Sequence, residues 1–76
     1  MTFEIVWDWP ALTVLYDIHW QTGSAIDAHV MRFAATRAAT IQPAPAYHLR
    51  VSGYDVVLTV DRKAHTVTVL RIYGRR

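Results

Sequence analysis

The sequence predicts an α+β domain in the order β-α-α-β-β-β, with a helical hairpin packed on one face of a small antiparallel sheet. Three observations predict it. Residues 47–76 hold three alternating, strand-like runs separated by short polar turns. Residues 10–39 carry apolar side chains at helical spacing, interrupted once near Gly23. A short alternating run, residues 2–7, comes before the helices.

From Thr2 to Trp7, Phe3, Ile5 and Trp7 alternate with Thr2, Glu4 and Val6, which suits a first strand. Asp8 is a helix cap, and Pro10 fits the first helical turn, where its missing N–H is no loss. Leu12, Leu15, Tyr16 and Trp20 then form an apolar stripe along residues 10–20. Gln21-Thr22-Gly23 is expected to end this helix, glycine adopting a left-handed terminal conformation at little cost. Ser24 with Asp27 resembles a capping box for a second helix running to about Ala39, with Ile26, Val30, Phe33 and Ala34 on its inner face and Arg37 on its flank. So short a turn implies an antiparallel helix pair. Pro43 and Pro45 make residues 40–46 an extended connection.

The last three strands follow. In the first, His48 and Arg50 alternate with Leu49 and Val51, so a titratable and a cationic group share one face. Tyr54–Val60 is the second strand and Thr66–Tyr73 the third, with a charged turn, Asp61-Arg62-Lys63-Ala64, between them. Tyr73 shares a face with Arg71, and Arg75 and Arg76 end the sequence beside the sheet.

Composition narrows the function. Seventy-six residues make one domain, residues 1–76, near the small end of what folds unaided. With no cysteine, packing alone must hold it. The hydrophobic fraction of 53% is high for so small a chain and leaves apolar surface for a partner. Trp9, Tyr16 and Trp20, on or near the helices, are the candidates for that contact. No leader pattern and no membrane-length apolar run is seen, and the expected location is the cytoplasm. The net charge of +2 hides an asymmetry. Residues 1–45 set two arginines against four carboxylates, a balance of −2, whereas residues 46–76 set six cations against two carboxylates, a balance of +4. The strand half therefore favours an anionic partner, such as a phosphate backbone. His19, His29, His48 and His65 lie on different elements without ligand spacing, so neither a metal nor a cofactor is expected. There is no glycine-rich phosphate loop and no Ser-His-Asp arrangement. The double-stranded-RNA-binding module is excluded by element order, since its basic residues begin a terminal helix and this chain ends on a strand.

The run Tyr47-His48-Leu49-Arg50-Val51-Ser52-Gly53-Tyr54-Asp55-Val56, then Thr66–Ile72 and Tyr73-Gly74-Arg75-Arg76, resembles the RelE/ParE superfamily of bacterial toxin–antitoxin toxins. The resemblance covers about two fifths of the chain at motif level, and the element order extends it to nearly the whole. It implies the same α+β fold and a cognate antitoxin as partner. RelE-like members cleave mRNA in the ribosomal A site, using the RNA's own 2′-hydroxyl. On that model His48 is the acid or base, Arg50 holds the phosphate and Arg76 matches the basic residue after the last strand. Arg71, Tyr73 and Arg75 contact RNA. Two departures stand out: Asp55 replaces the usual arginine, and up to Arg76 nothing matches the segment that often supplies a further catalytic Tyr or His. ParE-like members lack the nuclease set and inhibit DNA gyrase, which gives the alternative reading, as does a degenerate toxin that only binds its antitoxin.

Overall fold

The computed structural model describes residues 3–74. Six elements appear in the expected order: β1 (Glu4–Trp7), α1 (Trp9–Asp17), α2 (Trp20–Thr36), β2 (Tyr47–Val51), β3 (Tyr54–Asp61) and β4 (Thr66–Gly74). The four strands form one sheet in the order β1-β4-β3-β2. The helices cover one face, α1 against β4 and α2 against β2 and β1. Among the described residues no helix is long and apolar enough to cross a membrane.

The sheet is mixed rather than wholly antiparallel. β2, β3 and β4 are antiparallel neighbours, but β1 runs parallel to β4, pairing Glu4 with Thr66 through Trp7 with Val69. Alternation shows which residues face inward and says nothing about the direction of a neighbouring strand. A parallel pair needs a long crossover, and here the two helices are part of it.

Local chemistry sets the boundaries. The Asp8 amide donates to Val69 O at 2.9 Å, extending the ladder by one residue, and its carboxylate then accepts from the Trp9 N–H at 3.0 Å. One residue thus ends β1 and caps α1. The break between the helices falls at Ile18-His19, not at Gly23. Ile18 is extended, at φ −86° and ψ 164°, and His19 Nδ1 accepts from the Gln21 N–H at 3.2 Å. This imidazole cap starts α2 four residues earlier than Ser24, so Gly23 lies inside the helix, its N–H donating to His19 O at 2.9 Å. The inner face of α1 is correspondingly Ala11, Val14, Leu15 and Ile18, at i, i+3, i+4 and i+7. Tyr16 and Trp20, placed on the stripe by spacing, point to solvent. In α2 the expected Ile26, Val30, Phe33 and Ala34 are all buried.

From the sheet, Val51, Val56, Leu58, Val67, Val69 and Ile72 complete the core, and among the described residues no buried one is polar or charged. Val67, Val69 and Ile72 break a strict alternation of two. β4 accommodates this with a bulge: Leu58 faces Val69 and Val57 faces Arg71, leaving Leu70 as the extra residue. β2 and β3 are joined by the two-residue turn Ser52-Gly53, whose φ values of 51° and 83° define a type I′ hairpin. At the far end of the sheet, the Arg62 side chain donates to Ala38 O at 3.4 Å and ties the β3–β4 turn to the end of α2.

Two substitutions should move stability in opposite directions. A Cβ at Gly23 meets only ordinary contacts, the nearest being Leu15 O at 3.6 Å, so Gly23→Ala should stabilise the fold by about 0.5–1 kcal/mol. Leu58 is fully buried between the helices and the sheet, and Leu58→Ala should cost about 2–5 kcal/mol. Urea denaturation followed by circular dichroism measures both, and a lowered midpoint for Gly23→Ala would contradict the packing described.

Candidate nucleic-acid interface

The face of the sheet opposite the helices carries the residues that the sequence singled out. Strand register arranges them as a grid. Arg50, Asp55 and Tyr73 form one row across β2, β3 and β4, and His48, Val57 and Arg71 form the next. Neighbouring strands are about 4.8 Å apart and successive same-face residues about 7 Å, so the grid spans roughly 10 Å by 7 Å. His48, Arg50, Arg71 and Tyr73 are all exposed, and Tyr73 retains 52% of its surface. The bulge at Leu70 places Arg71 here. Without it, Arg71 would follow Val67 and Val69 toward the helices.

Asp55 is the member whose partner sequence reasoning left open. Its carboxylate meets His48 on the diagonal, with Nδ1 and Oδ2 3.1 Å apart. Diagonal neighbours on paired strands lie within reach of long or aromatic side chains. The signal was present in the sequence, because a two-residue turn at Ser52-Gly53 sets residues 48 and 57 opposite each other and residue 55 one step away.

The consequence is chemical. An ionised carboxylate only accepts hydrogen bonds, so His48 Nδ1 must donate. In the neutral ring, Nε2 is then left with its lone pair free. Asp55 is more covered than its partner, with 28% of its side chain exposed against 59% for His48. Its place in the central strand β3 gives the imidazole a firm anchor. Among the described residues this is the sole ion pair, so no carboxylate lies within ion-pair distance of Arg50 or Arg71.

The remaining predicted residues lie elsewhere. Arg75 and Arg76 fall outside the described residues. Trp9, Tyr16 and Trp20 sit on the helical layer, at 72%, 80% and 71% exposure, away from the cationic face. Trp9 and Tyr16 are seven residues apart and share one side of α1, while Trp20 begins α2, its ring stacked on that of His19 with centroids 5.9 Å apart. Among the described residues no group of three or more His, Cys, Asp or Glu could hold a metal ion.

The fold is that of RelE toxins. The archaeal RelE–RelB complex from Pyrococcus horikoshii superposes with a TM-score of 0.81 at 13% identity, covering 99% of this chain and 97% of that one. The isolated RelE toxin of E. coli gives 0.80 at 16% identity, over 97% of this chain and 85% of that one. A RelBE toxin–antitoxin complex from Mycobacterium tuberculosis gives 0.77 at 15% identity, over 99% and 93%. No family model and no curated protein matches the sequence. At these identities the likeness concerns the fold, and the residues of the grid must carry any statement about chemistry.

The His48–Asp55 contact makes a spectroscopic prediction. Neutral His48 should carry its proton on Nδ1 in the native chain. Asp55→Ala removes the acceptor and should shift the ring toward the Nε2–H form. Two-bond nitrogen–proton correlation spectra distinguish the two tautomers directly, and identical spectra would show that the pair does not form in solution.

Proposed function

We propose that this protein is the toxin of a type II toxin–antitoxin system and acts as a ribosome-dependent mRNA endonuclease in the cytoplasm. The observation that carries this reading is the convergence, on the open sheet face, of an oriented imidazole with two arginines that form no ion pair among the described residues. The RelE fold supports it, since the similar solved structures are RelE toxins, several in complex with RelB.

The chemistry follows from the grid. Cleavage proceeds by attack of a 2′-hydroxyl oxygen on the adjacent phosphorus. The O2′–P bond forms, the P–O5′ bond breaks, and the phosphate becomes a 2′,3′-cyclic diester. His48 Nε2 takes the proton of the 2′-hydroxyl as general base. The departing 5′-oxygen takes a proton from solvent, to which this face is open. Arg50 and Arg71 hold the non-bridging oxygens, on which charge builds as the phosphorus becomes five-coordinate. Tyr73 offers a ring on which a base can stack, and Arg75 and Arg76 extend the cationic contact beyond the last strand. Asp55 touches no substrate. It positions His48 through the Nδ1 contact.

The exposed Trp9, Tyr16 and Trp20 are assigned to the antitoxin. Three aromatic rings left at 71–80% exposure on a chain this small are suited to anchor a partner segment. An antitoxin seated there could hold the toxin inactive and extend over the sheet edge to mask its cations.

Primer extension on a reporter mRNA during translation tests the proposal. The native protein should generate new ends at A-site positions. His48→Ala should reduce their rate by about 10²–10⁴-fold, in line with loss of a general base. Arg50→Ala should reduce it by about 10²–10³-fold, the usual effect of losing a transition-state donor. Intact mRNA, together with growth inhibition that survives Arg50→Ala, would overturn the reading in favour of a non-nuclease inhibitor working through the helices. DNA supercoiling by gyrase would then be the assay.

A further inference from the structure

A second basic site lies beside the open face, and apart from Arg50 its residues have no role in the chemistry above. Between α2 and the edge strand β2 runs a cleft of about 270 Å³, lined by His29, Arg32, Thr36 and Arg37 from the helix and by Arg50 from the strand, over a floor of Phe33 and Leu49. The helical residues recur at i, i+3, i+7 and i+8, one stripe along a side of α2 that extends about 12 Å. Among the described residues no carboxylate lines the cleft, and none lies within ion-pair distance of Arg32, Arg37 or Arg50.

The cleft is built as well as charged. The Arg37 guanidinium rests over the Phe33 ring, 5.5 Å from its centroid, which limits its motion without using its hydrogen-bond donors. The His29 ring lies 2.8 Å through Nδ1 from Ala25 O. Because a carbonyl only accepts, Nδ1 donates there, and in the neutral ring Nε2 faces outward as an acceptor able to meet a ribose hydroxyl. Arg50 belongs both to this cleft and to the catalytic grid, so the two sites are continuous around the β2 edge.

We propose that this cleft binds the phosphodiester backbone of the same RNA strand that crosses the open sheet face, guiding it around the β2 edge. The inference rests on the RNA-cleaving reading. Phosphate is the chemistry favoured here because three guanidinium groups can fork onto its oxygens, and because the charge joins the catalytic row without interruption. The cleft supplies affinity and direction, while the grid supplies the reaction.

The test is the salt dependence of binding to a fluorescein-labelled single-stranded RNA, measured by fluorescence anisotropy. Each lost phosphate contact lowers the slope of log Kobs against log salt by about 0.7 for a single strand. Arg32→Ala/Arg37→Ala should therefore flatten the slope by about 1.4 and weaken binding by about tenfold or more near physiological salt. His48→Ala should leave the slope unchanged. Both arginines are exposed, so the fold should survive. Arg32→Gln/Arg37→Gln, checked by its thermal melt, provides the same comparison should the alanine variant unfold.

An unchanged slope in a folded double variant would overturn the proposal. Primer extension then separates the cases: continued A-site cleavage that His48→Ala abolishes would leave the nuclease reading standing without the cleft. Loss of binding to polyglutamate, with RNA binding intact, would also overturn it and assign the cleft to an acidic protein segment.

Discussion

Two strands lie at the centre of this sheet, and β4 alone contacts both α1 and the parallel strand β1. A strand keeps apolar and polar faces apart only by alternating strictly, yet β4 must turn Val67, Val69 and Ile72 to the helices. The odd interval between Val69 and Ile72 is possible because Leu70 is left over opposite Val57/Leu58. Had β4 been regular, Arg71 would enter an apolar core containing no buried polar group to receive it, and Ile72 would face water. A guanidinium buried without a partner costs several kcal/mol, comparable with the whole stability of a domain this size. The bulge therefore protects the core and places Arg71 on the open face. Fold and candidate site rest on the same irregularity.

The layers divide the remaining tasks. Burial of one sheet face by the helices forces every cation of β2 and β4 onto the other face or onto an edge. The type I′ turn then fixes the β2–β3 register, because Ser52 and Gly53 both require positive φ and allow only a two-residue connection. A one-residue slip would turn His48 and Arg50 toward Phe33 and Val30. Arg50 and Arg71 are thus gathered on one face by the sheet rather than merely carried by it. The helical layer, with a balance of −2 before residue 46, shows aromatic surface instead. Its C-terminal half departs from that pattern, since Arg32 and Arg37 bring positive charge back to the β2 edge.

Much of this was legible in the sequence. Period-two runs located three strands almost to the residue, and the buried face of α2 was read correctly at Ile26, Val30, Phe33 and Ala34. What stayed hidden depends on choices between similar local energies. Gly23 looked like a helix end because glycine is the usual terminator, but a histidine side chain capped α2 earlier and left the glycine helical. The apolar stripe of α1 was shifted because Leu12, Leu15, Tyr16 and Trp20 fit helical spacing about as well as Ala11, Val14, Leu15 and Ile18. Packing against β4 decided for the smaller set, leaving the large rings outside. The parallel pairing of β1 and the identity of Asp55's partner are tertiary facts, set by which strands meet and how far they twist.

Asp55 also changes how the open face should be understood. With an arginine at that position, His48, Arg50, Arg71 and the new guanidinium would crowd four cationic or titratable groups into roughly 10 Å by 7 Å. Such a surface would grip phosphate strongly, but it would leave His48 Nδ1 without a carboxylate to orient the ring. On the proposed reading, a carboxylate 3.1 Å from Nδ1 fixes the ring and leaves Nε2 free for the substrate. In the proposed reaction Arg50 and Arg71 remain to hold the phosphate. On that reading the aspartate exchanges some phosphate affinity for an oriented base, and a second place to hold the strand would offset the loss. On the same reading the cleft next to it would supply that hold through Arg32 and Arg37, which lie on and just after α2 rather than beside the imidazole.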